Sequence, residues 1–125
     1  HRPCGDILDL HNYPAPDIFL FDPKRVNVLG EYGGIGLPVE NHLWWNKRNW
    51  GYVQFKNSDE VTAEYVKYAN ILKDYVKRGF SAAVYTQTTD VEGEVNGLMT
   101  YDRKVIKIDE AAVKKANQSV INELK

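Results

Sequence analysis

One amphipathic helix stands between two strand candidates, and that order constrains the fold more than any other feature of this chain. Ser58 has the side chain of an N-cap, and Asp59 and Glu60 follow it where the helix dipole favours acids. Val61, Tyr65, Tyr68, Leu72 and Val76 then recur at steps of four and three, which draws a single apolar stripe. Lys73, Lys77 and Arg78 lie near its end, and Gly79 is a natural stop. The apolar run Val26-Asn27-Val28-Leu29 precedes this helix, and Phe80-Ser81-Ala82-Ala83-Val84-Tyr85 follows it. A strand that reaches the next strand through a helix makes a crossover, so the two are expected to lie parallel.

The remaining segments extend the same pattern. Asp6-Ile7-Leu8-Asp9-Leu10-His11 alternates acidic and apolar residues and meets the proline-bearing Asn12-Tyr13-Pro14-Ala15-Pro16, so it reads as a strand ended by a loop. Residues 30–57 and 86–103 form two long connections, each following a strand. Val105-Ile106-Lys107-Ile108 is a brief apolar run, and Asp109 caps a last helix whose apolar face is expected from Val113, Val120, Ile121 and Leu124. Long loops on the C-terminal side of strands are the asymmetry of an α/β barrel. Three main strands and two helices cannot close a barrel of eight, and parallel strands need cover on both faces. The expectation is therefore a piece of a larger α/β fold, with apolar faces that favour self-association. A chain that begins at His1 rather than Met agrees with an upstream part.

Composition bounds the function. With 125 residues, 43% hydrophobic and 26% charged, the chain has the size and balance of one globular domain. A formal net charge of -1 supplies no basic field for nucleic acid and no polybasic patch for an anionic membrane, so neither partner is expected. No apolar run approaches the roughly 20 residues that span a bilayer. The lone Cys4 excludes an intramolecular disulfide and a multi-cysteine zinc site. Asp90, Glu92, Glu94 and Asn96 have neither the glycine position nor the length of an EF-hand loop, so they read as a solvated or loop-bracing cluster. No metal or cofactor is expected.

Two stretches carry chemistry. Gly30-Glu31-Tyr32-Gly33-Gly34 puts one carboxylate at the end of a strand, with glycines that turn the backbone and leave space around the acid. Strand ends are where α/β folds do their chemistry. The alternative is a strand-ending acid that is merely solvated or salt-bridged. Trp44, Trp45, Trp50, Tyr52 and Phe55 crowd an irregular stretch that also holds His42, Lys47 and Arg48. Such a stretch is either a loop packed on its own domain or a wall of a binding site.

The succession DLHNYP, VLGEYGG and AAVYTQTTDVEGEVNGLMTYDR resembles the C-terminal part of the catalytic barrel in glycoside hydrolase family 2, the family of β-galactosidases, β-glucuronidases and β-mannosidases. The resemblance covers the chain from about residue 5 to residue 125. It implies a partial (β/α)8 TIM barrel, approximately strands 6–8 with their loops and the last two helices, and the rest of that barrel as a partner. It also implies a retaining exo-acting β-glycosidase with a carbohydrate substrate. In that reading Glu31 matches the nucleophile, and His11 with Tyr13 matches the position that contacts sugar hydroxyls. Tyr32 either orients Glu31 or packs beneath it, while His42, Trp44, Trp45 and Trp50 fall in a loop whose aromatic faces can stack on a pyranose. Many relatives end the last strand with a tryptophan at the floor of the sugar site, where this chain has Tyr85-Thr86-Gln87. The family's acid/base is the Glu of an Asn-Glu pair upstream of His1. Asn122-Glu123 is a coincidental match in the last helix, and Asp102-Arg103 is expected to pin a loop. The 125 residues alone are therefore expected to be inactive. Two other readings remain open: a non-catalytic carbohydrate-binding module built on the Trp44–Trp50 loop, and a structural α/β domain whose aromatics fill its core.

Overall fold

A computed structural model describes residues 4–125; His1, with which the chain begins, lies outside the described residues. Five strands and two helices follow one another as β1 (Ile7–His11), β2 (Val26–Gly33), β3 (Ile35–Gly36), β4 (Val53–Gln54), α1 (Ser58–Lys77), β5 (Phe80–Thr86) and α2 (Glu110–Ile121). β1, β2 and β5 make a three-stranded sheet with β2 in the middle, and β3 with β4 make a second, two-stranded sheet. Every pair is parallel. The crossover through α1 imposes that direction on β2 and β5.

The partial (β/α)8 barrel expected above, strands 6–8 with the last two helices, is overturned. The described residues hold small sheets of parallel strands and two helices, and no barrel closes. A barrel exists only when each strand pairs on both sides around a ring. Here β1 and β5 are the ends of the main sheet. The chain spends residues 37–52 and 87–109 on irregular loops rather than on further strand–helix units.

One face of the main sheet is the core. Leu8 and Leu10 of β1, Leu29 and Tyr32 of β2 and Phe80 of β5 meet Val61, Tyr65, Tyr68 and Leu72 of α1, and all are buried. Each full burial of an aliphatic side chain contributes about 1.5–3 kcal/mol, so this one stripe holds the sheet to its helix. Alternation sends Ile7, Asp9 and His11 of β1 to the other face, with Val26, Val28 and Gly30 of β2, and a register shift after Phe80 brings Val84 of β5 there too. Ile7, Val26 and Val84 are exposed there.

The helix ends differ from expectation in instructive ways. Asn57, not Ser58, is the N-cap of α1, and its side chain accepts from the Glu60 amide at 2.9 Å. The Glu60 carboxylate reaches back to the Lys56 amide at 2.9 Å, which satisfies a second free donor. Ser58 is thereby free to donate its hydroxyl to the Lys107 carbonyl at 2.7 Å. Thr62 accepts from the Asp109 amide at 3.0 Å, so the start of α2 is fastened to the first turn of α1. Asp109 caps α2 as expected, accepting from the Ala112 amide. Val113 and Ala116 are its buried residues, whereas Ile121 and Leu124, expected on its apolar face, are exposed.

The acidic cluster is not uniformly solvated. Asp90 is buried and takes the Nζ of Lys107, itself only 1% exposed, at 2.6 Å. Lys107 also donates to the Val95 carbonyl at 3.0 Å, and the Gly97 amide donates to Asp90 at 2.9 Å. Burial pushes Asp90 up and Lys107 down, and the ion pair works against both shifts. Removing one partner leaves a bare charge in a dry site, which costs far more than the intact pair contributes. Lys107→Met is therefore expected to lose about 3–5 kcal/mol of stability in urea unfolding, with Asp90→Leu/Lys107→Met recovering most of it. A Lys107→Met loss under about 1 kcal/mol would show that the pair is solvated.

Candidate functional site

β2 carries one residue more than either neighbour at the Gly30–Glu31 step. Leu10 pairs with Leu29 and His11 with Glu31, so one step along β1 spans two along β2. On the other side Leu29 pairs with Ala83 and Tyr32 with Tyr85, which is three steps against two. An inserted residue of this kind is a β-bulge, and it re-aims the side chains around it. Leu29 and Tyr32 both remain in the core, at 0% and 5% exposure. Glu31 between them is turned out, with 43% of its side chain exposed.

Three aromatic rings lead away from Glu31. The Tyr13 hydroxyl donates to Glu31 Oε2 at 2.6 Å. Burial, and then the bond to Glu31, push the Tyr13 phenol up to about 12, so it stays protonated and a donor at neutral pH. The Tyr13 ring stacks on Tyr52 with centroids 3.8 Å apart and planes 7° from parallel. Tyr52 fills the space where a side chain on Gly34 would stand, and Gly34 itself has φ +69, so both the turn and the close approach require glycine. Trp50 meets Tyr52 edge-on at 5.5 Å.

His11 completes the group. Its Nδ1 lies 3.5 Å from the same Glu31 Oε2, and its Nε2 lies 3.1 Å from Asp9 Oδ2. Both contacts to Glu31 fall on Oε2, and Oε1 is left without a partner among the described residues. Among the described residues the carboxylate thus has one oxygen held and one without a partner.

The other expected residues divide. Tyr32 is buried, edge-on to Tyr68 at 6.4 Å and to Tyr85 at 5.6 Å, and burial pushes its phenol up. Tyr85 also packs on Tyr65, with centroids 4.9 Å apart. Both belong to the layer under the sheet and support Glu31 from beneath rather than meet it. His42 Nδ1 is 2.8 Å from Asp102 Oδ2, and the Thr100 hydroxyl donates to Asp102 Oδ1 at 2.6 Å. Asp102 therefore pins the loop as expected, but its partner is His42 rather than Arg103. Trp44 stands edge-on to Tyr101 at 5.5 Å. Trp44, Trp45 and Trp50 are 63%, 49% and 45% exposed, and with Arg48, Glu92 and Gly93 they line a cleft of about 430 Å³. A larger cavity of about 640 Å³ between α1, α2 and β5 is lined by core aromatics and aliphatics and includes none of the groups around Glu31.

Asp9 and Tyr52 are the site residues that sequence reasoning missed. Asp9 had a signal: it lies two positions before His11 in a strand, so the two side chains share a face. Tyr52 had none beyond its aromatic neighbours. Among the described residues no group of three His, Cys, Asp or Glu side chains is arranged to hold a metal ion. No protein-family model matches this chain, and no curated protein matches it. The site therefore has to be read from its own geometry.

The His42–Asp102 brace has a predictable pH dependence. The hydrogen bonds from Thr100, first, and His42 hold the Asp102 carboxyl below the usual carboxylate range. A depressed carboxyl stabilises the fold fully above its unfolded value of about 3.9, and that contribution is lost as pH falls toward the folded value. Tryptophan fluorescence followed downward from about pH 6 is expected to report this loss around Trp44, and Asp102→Asn to make the acid-side step smaller. An identical step in both proteins would show that the brace does not order the loop.

Proposed function

We propose that this chain carries the nucleophile of a retaining exo-β-glycosidase, and that the nucleophile is Glu31. The observation that carries the reading is the asymmetry of its carboxylate: Oε2 is held by Tyr13 at 2.6 Å, while Oε1 has no partner among the described residues. A nucleophile of this class must stay ionised and keep one oxygen aimed at the anomeric carbon. The stated resemblance of DLHNYP, GEYGG and NGLMTYDR to glycoside hydrolase family 2 supports the same assignment.

The chemistry follows in two balanced steps. Oε1 forms a bond to the anomeric carbon as the bond from that carbon to the leaving oxygen breaks, and the electron pair departs with that oxygen. A second carboxylic acid, roughly 5–5.5 Å from the nucleophile in enzymes of this kind, protonates the leaving oxygen. Water then attacks the glycosyl ester, the second carboxylate takes its proton, and Glu31 is released. Tyr13 supports Oε2 throughout as a neutral donor. On this reading the acid/base lies upstream of residue 1, so the 125 residues by themselves do not turn over.

Nitrophenyl β-glycosides test the proposal. A longer form of the protein that contains the upstream acid/base is expected to hydrolyse at least one of them, and Glu31→Gln to reduce kcat by three or more orders of magnitude. Activity in the 125-residue chain alone, or activity that survives Glu31→Gln, would sink the assignment.

A second reading has its own observation. Three exposed tryptophans around one cleft, rimmed by Arg48 and Glu92, suit a carbohydrate-binding module, since aromatic faces pack on sugar rings and polar rims take the hydroxyls. It predicts saturable quenching of tryptophan fluorescence by oligosaccharides in the 125-residue chain. Trp45→Ala should weaken that binding at least tenfold and Glu31→Gln should leave it unchanged. Fluorescence insensitive to every sugar tried would reject the module.

A further inference from the structure

The mechanism proposed for Glu31 uses Tyr13 and goes no farther, but aromatic contacts continue from Tyr13 without a break to the tryptophan cleft. Tyr13 donates to Glu31 at 2.6 Å and stacks on Tyr52 at 3.8 Å, and Tyr52 meets Trp50 at 5.5 Å. Trp50 is itself a wall of the cleft that Trp44, Trp45, Arg48, Glu92 and Gly93 complete. Tyr52 and Trp50 are both exposed, so the rings that join the carboxylate to the cleft are surface rather than core. The backbone holds this row in place. Gly33 donates to the Pro14 carbonyl at 2.8 Å, and Tyr52 and Val53 donate to the Gly34 carbonyl at 3.0 and 3.1 Å. The loop of Tyr13 and the segment of Tyr52 are thus fastened to β2 and its end, just past Glu31. Trp50 donates to Gly93 and accepts from Val95, each at 2.8 Å. A side chain on Gly93 would collide with the Arg48 carbonyl, so the bare glycine lets the two walls of the cleft approach.

We propose that Glu31 and the tryptophan cleft are one elongated site, in which the cleft takes the leaving-group side of a β-linked oligosaccharide. The inference rests on the reading of Glu31 as the nucleophile of an exo-acting glycosidase. An exo-acting enzyme holds a single terminal sugar ahead of the bond it cuts, so every further sugar lies on the leaving-group side. The terminal sugar meets Glu31, and the cleft begins two ring contacts beyond Tyr13. What fills it is therefore a sugar past the scissile bond. The cleft suits that occupant: at about 430 Å³ it falls within the roughly 300–1,000 Å³ of small-ligand sites. Indole faces pack on the apolar faces of sugar rings, the Arg48 guanidinium donates to hydroxyls and the Glu92 carboxylate accepts from them. Contacts so far from the reacting atoms are the same before and during bond cleavage, so they act on KM rather than on kcat. A module that works by itself would need no contact between Trp50 and the group around Glu31, and that contact is present.

A ladder of substrates tests this in the longer protein that contains the upstream acid/base. The probes are the β-linked disaccharide, trisaccharide and tetrasaccharide of the sugar whose nitrophenyl β-glycoside that protein hydrolyses. KM is expected to fall at least fivefold from disaccharide to tetrasaccharide, with kcat within threefold. Trp45→Ala leaves the Trp50–Tyr52 contact in place. It should raise KM for the tetrasaccharide at least tenfold more than KM for the nitrophenyl glycoside, and Trp45→Phe should recover most of that difference. A KM that does not change with chain length would overturn the single site, and so would equal effects of Trp45→Ala on the two substrates. Tetrasaccharide binding that Trp45→Ala abolishes while tetrasaccharide hydrolysis is unaffected would overturn it in favour of an independent module. Failure of the glycosidase reading is distinct: there Glu31→Gln leaves hydrolysis of the nitrophenyl glycoside intact, whereas failure of this inference leaves Glu31 essential and chain length without effect.

Discussion

The site around Glu31 depends on one extra residue in the central strand. Without it, strict alternation from the buried Leu29 would place Gly30 outward, Glu31 in the core and Tyr32 outward. A carboxylate would then replace a tyrosine under the sheet, against Tyr68 and Tyr85, where no cation is available to it among the described residues. The bulge keeps Leu29 and Tyr32 on the core side and releases Glu31 from it. The same insertion shortens β1 and β5 by one step relative to β2, so Leu10 and Ala83 still pair with Leu29 while His11 comes level with Glu31. The exposed acid between two core residues therefore follows from the change of register at Gly30–Glu31.

The loops that surround this point are ordered by polar and backbone contacts rather than by a second apolar core. Trp50 exchanges backbone bonds with Gly93 and Val95, each at 2.8 Å, and Leu37 donates to Val95 at 2.9 Å. Residues 35–54 and 87–109 are laced together in this way, and the short β3–β4 pair closes the first of them. The Asp90–Lys107 pair lies within the second loop, and the Ser58–Lys107 bond ties that loop to α1. The His42–Asp102 contact joins positions 60 residues apart at the outer edge. A loop held by such directional contacts keeps a defined shape while leaving tryptophan faces in solvent, which a hydrophobic anchor would not permit.

Much of the framework was legible in the sequence, because it rests on periodicity. The apolar stripe of α1, the three runs that became β1, β2 and β5, and the Asp109 cap are all local patterns with local physical causes. The barrel was not, because closure is a property of how many strands find partners, and the resemblance supplied that number where the chain does not. The Asn57 cap was missed because Asn and Ser stand side by side and either can accept from the third amide; a distant bond from Ser58 to Lys107 decided between them. Lys107 was unreadable as a core residue, since a lysine in a short apolar run looks like a solvated interruption until Asp90 is known to meet it. In the site, Glu31 was visible at a strand end and His11 with Tyr13 only through the resemblance, and the three come together. Of the two readings open for Tyr32, orienting Glu31 or packing beneath it, the buried ring takes the second, and Tyr85, placed at the site by the resemblance, packs edge-on against it.

The asymmetry of the Glu31 carboxylate is what separates it from an ordinary strand-ending acid. A solvated glutamate has two equivalent oxygens, and a structural ion pair engages the side chain with a permanent cation. Among the described residues Glu31 has neither arrangement: a phenol donates to one oxygen and an imidazole lies 3.5 Å from that same oxygen. A phenol whose pKa is raised to about 12 donates without transferring its proton, so it orients the carboxylate and leaves it charged. The open face of the sheet supplies the approach, since Gly30 beside Glu31 has no side chain and the nearest polar group, Asp9, is turned to His11. On the proposed reading of Glu31 as a nucleophile, its orientation traces to Tyr13 at one oxygen and the open approach to the bare Gly30 beside it.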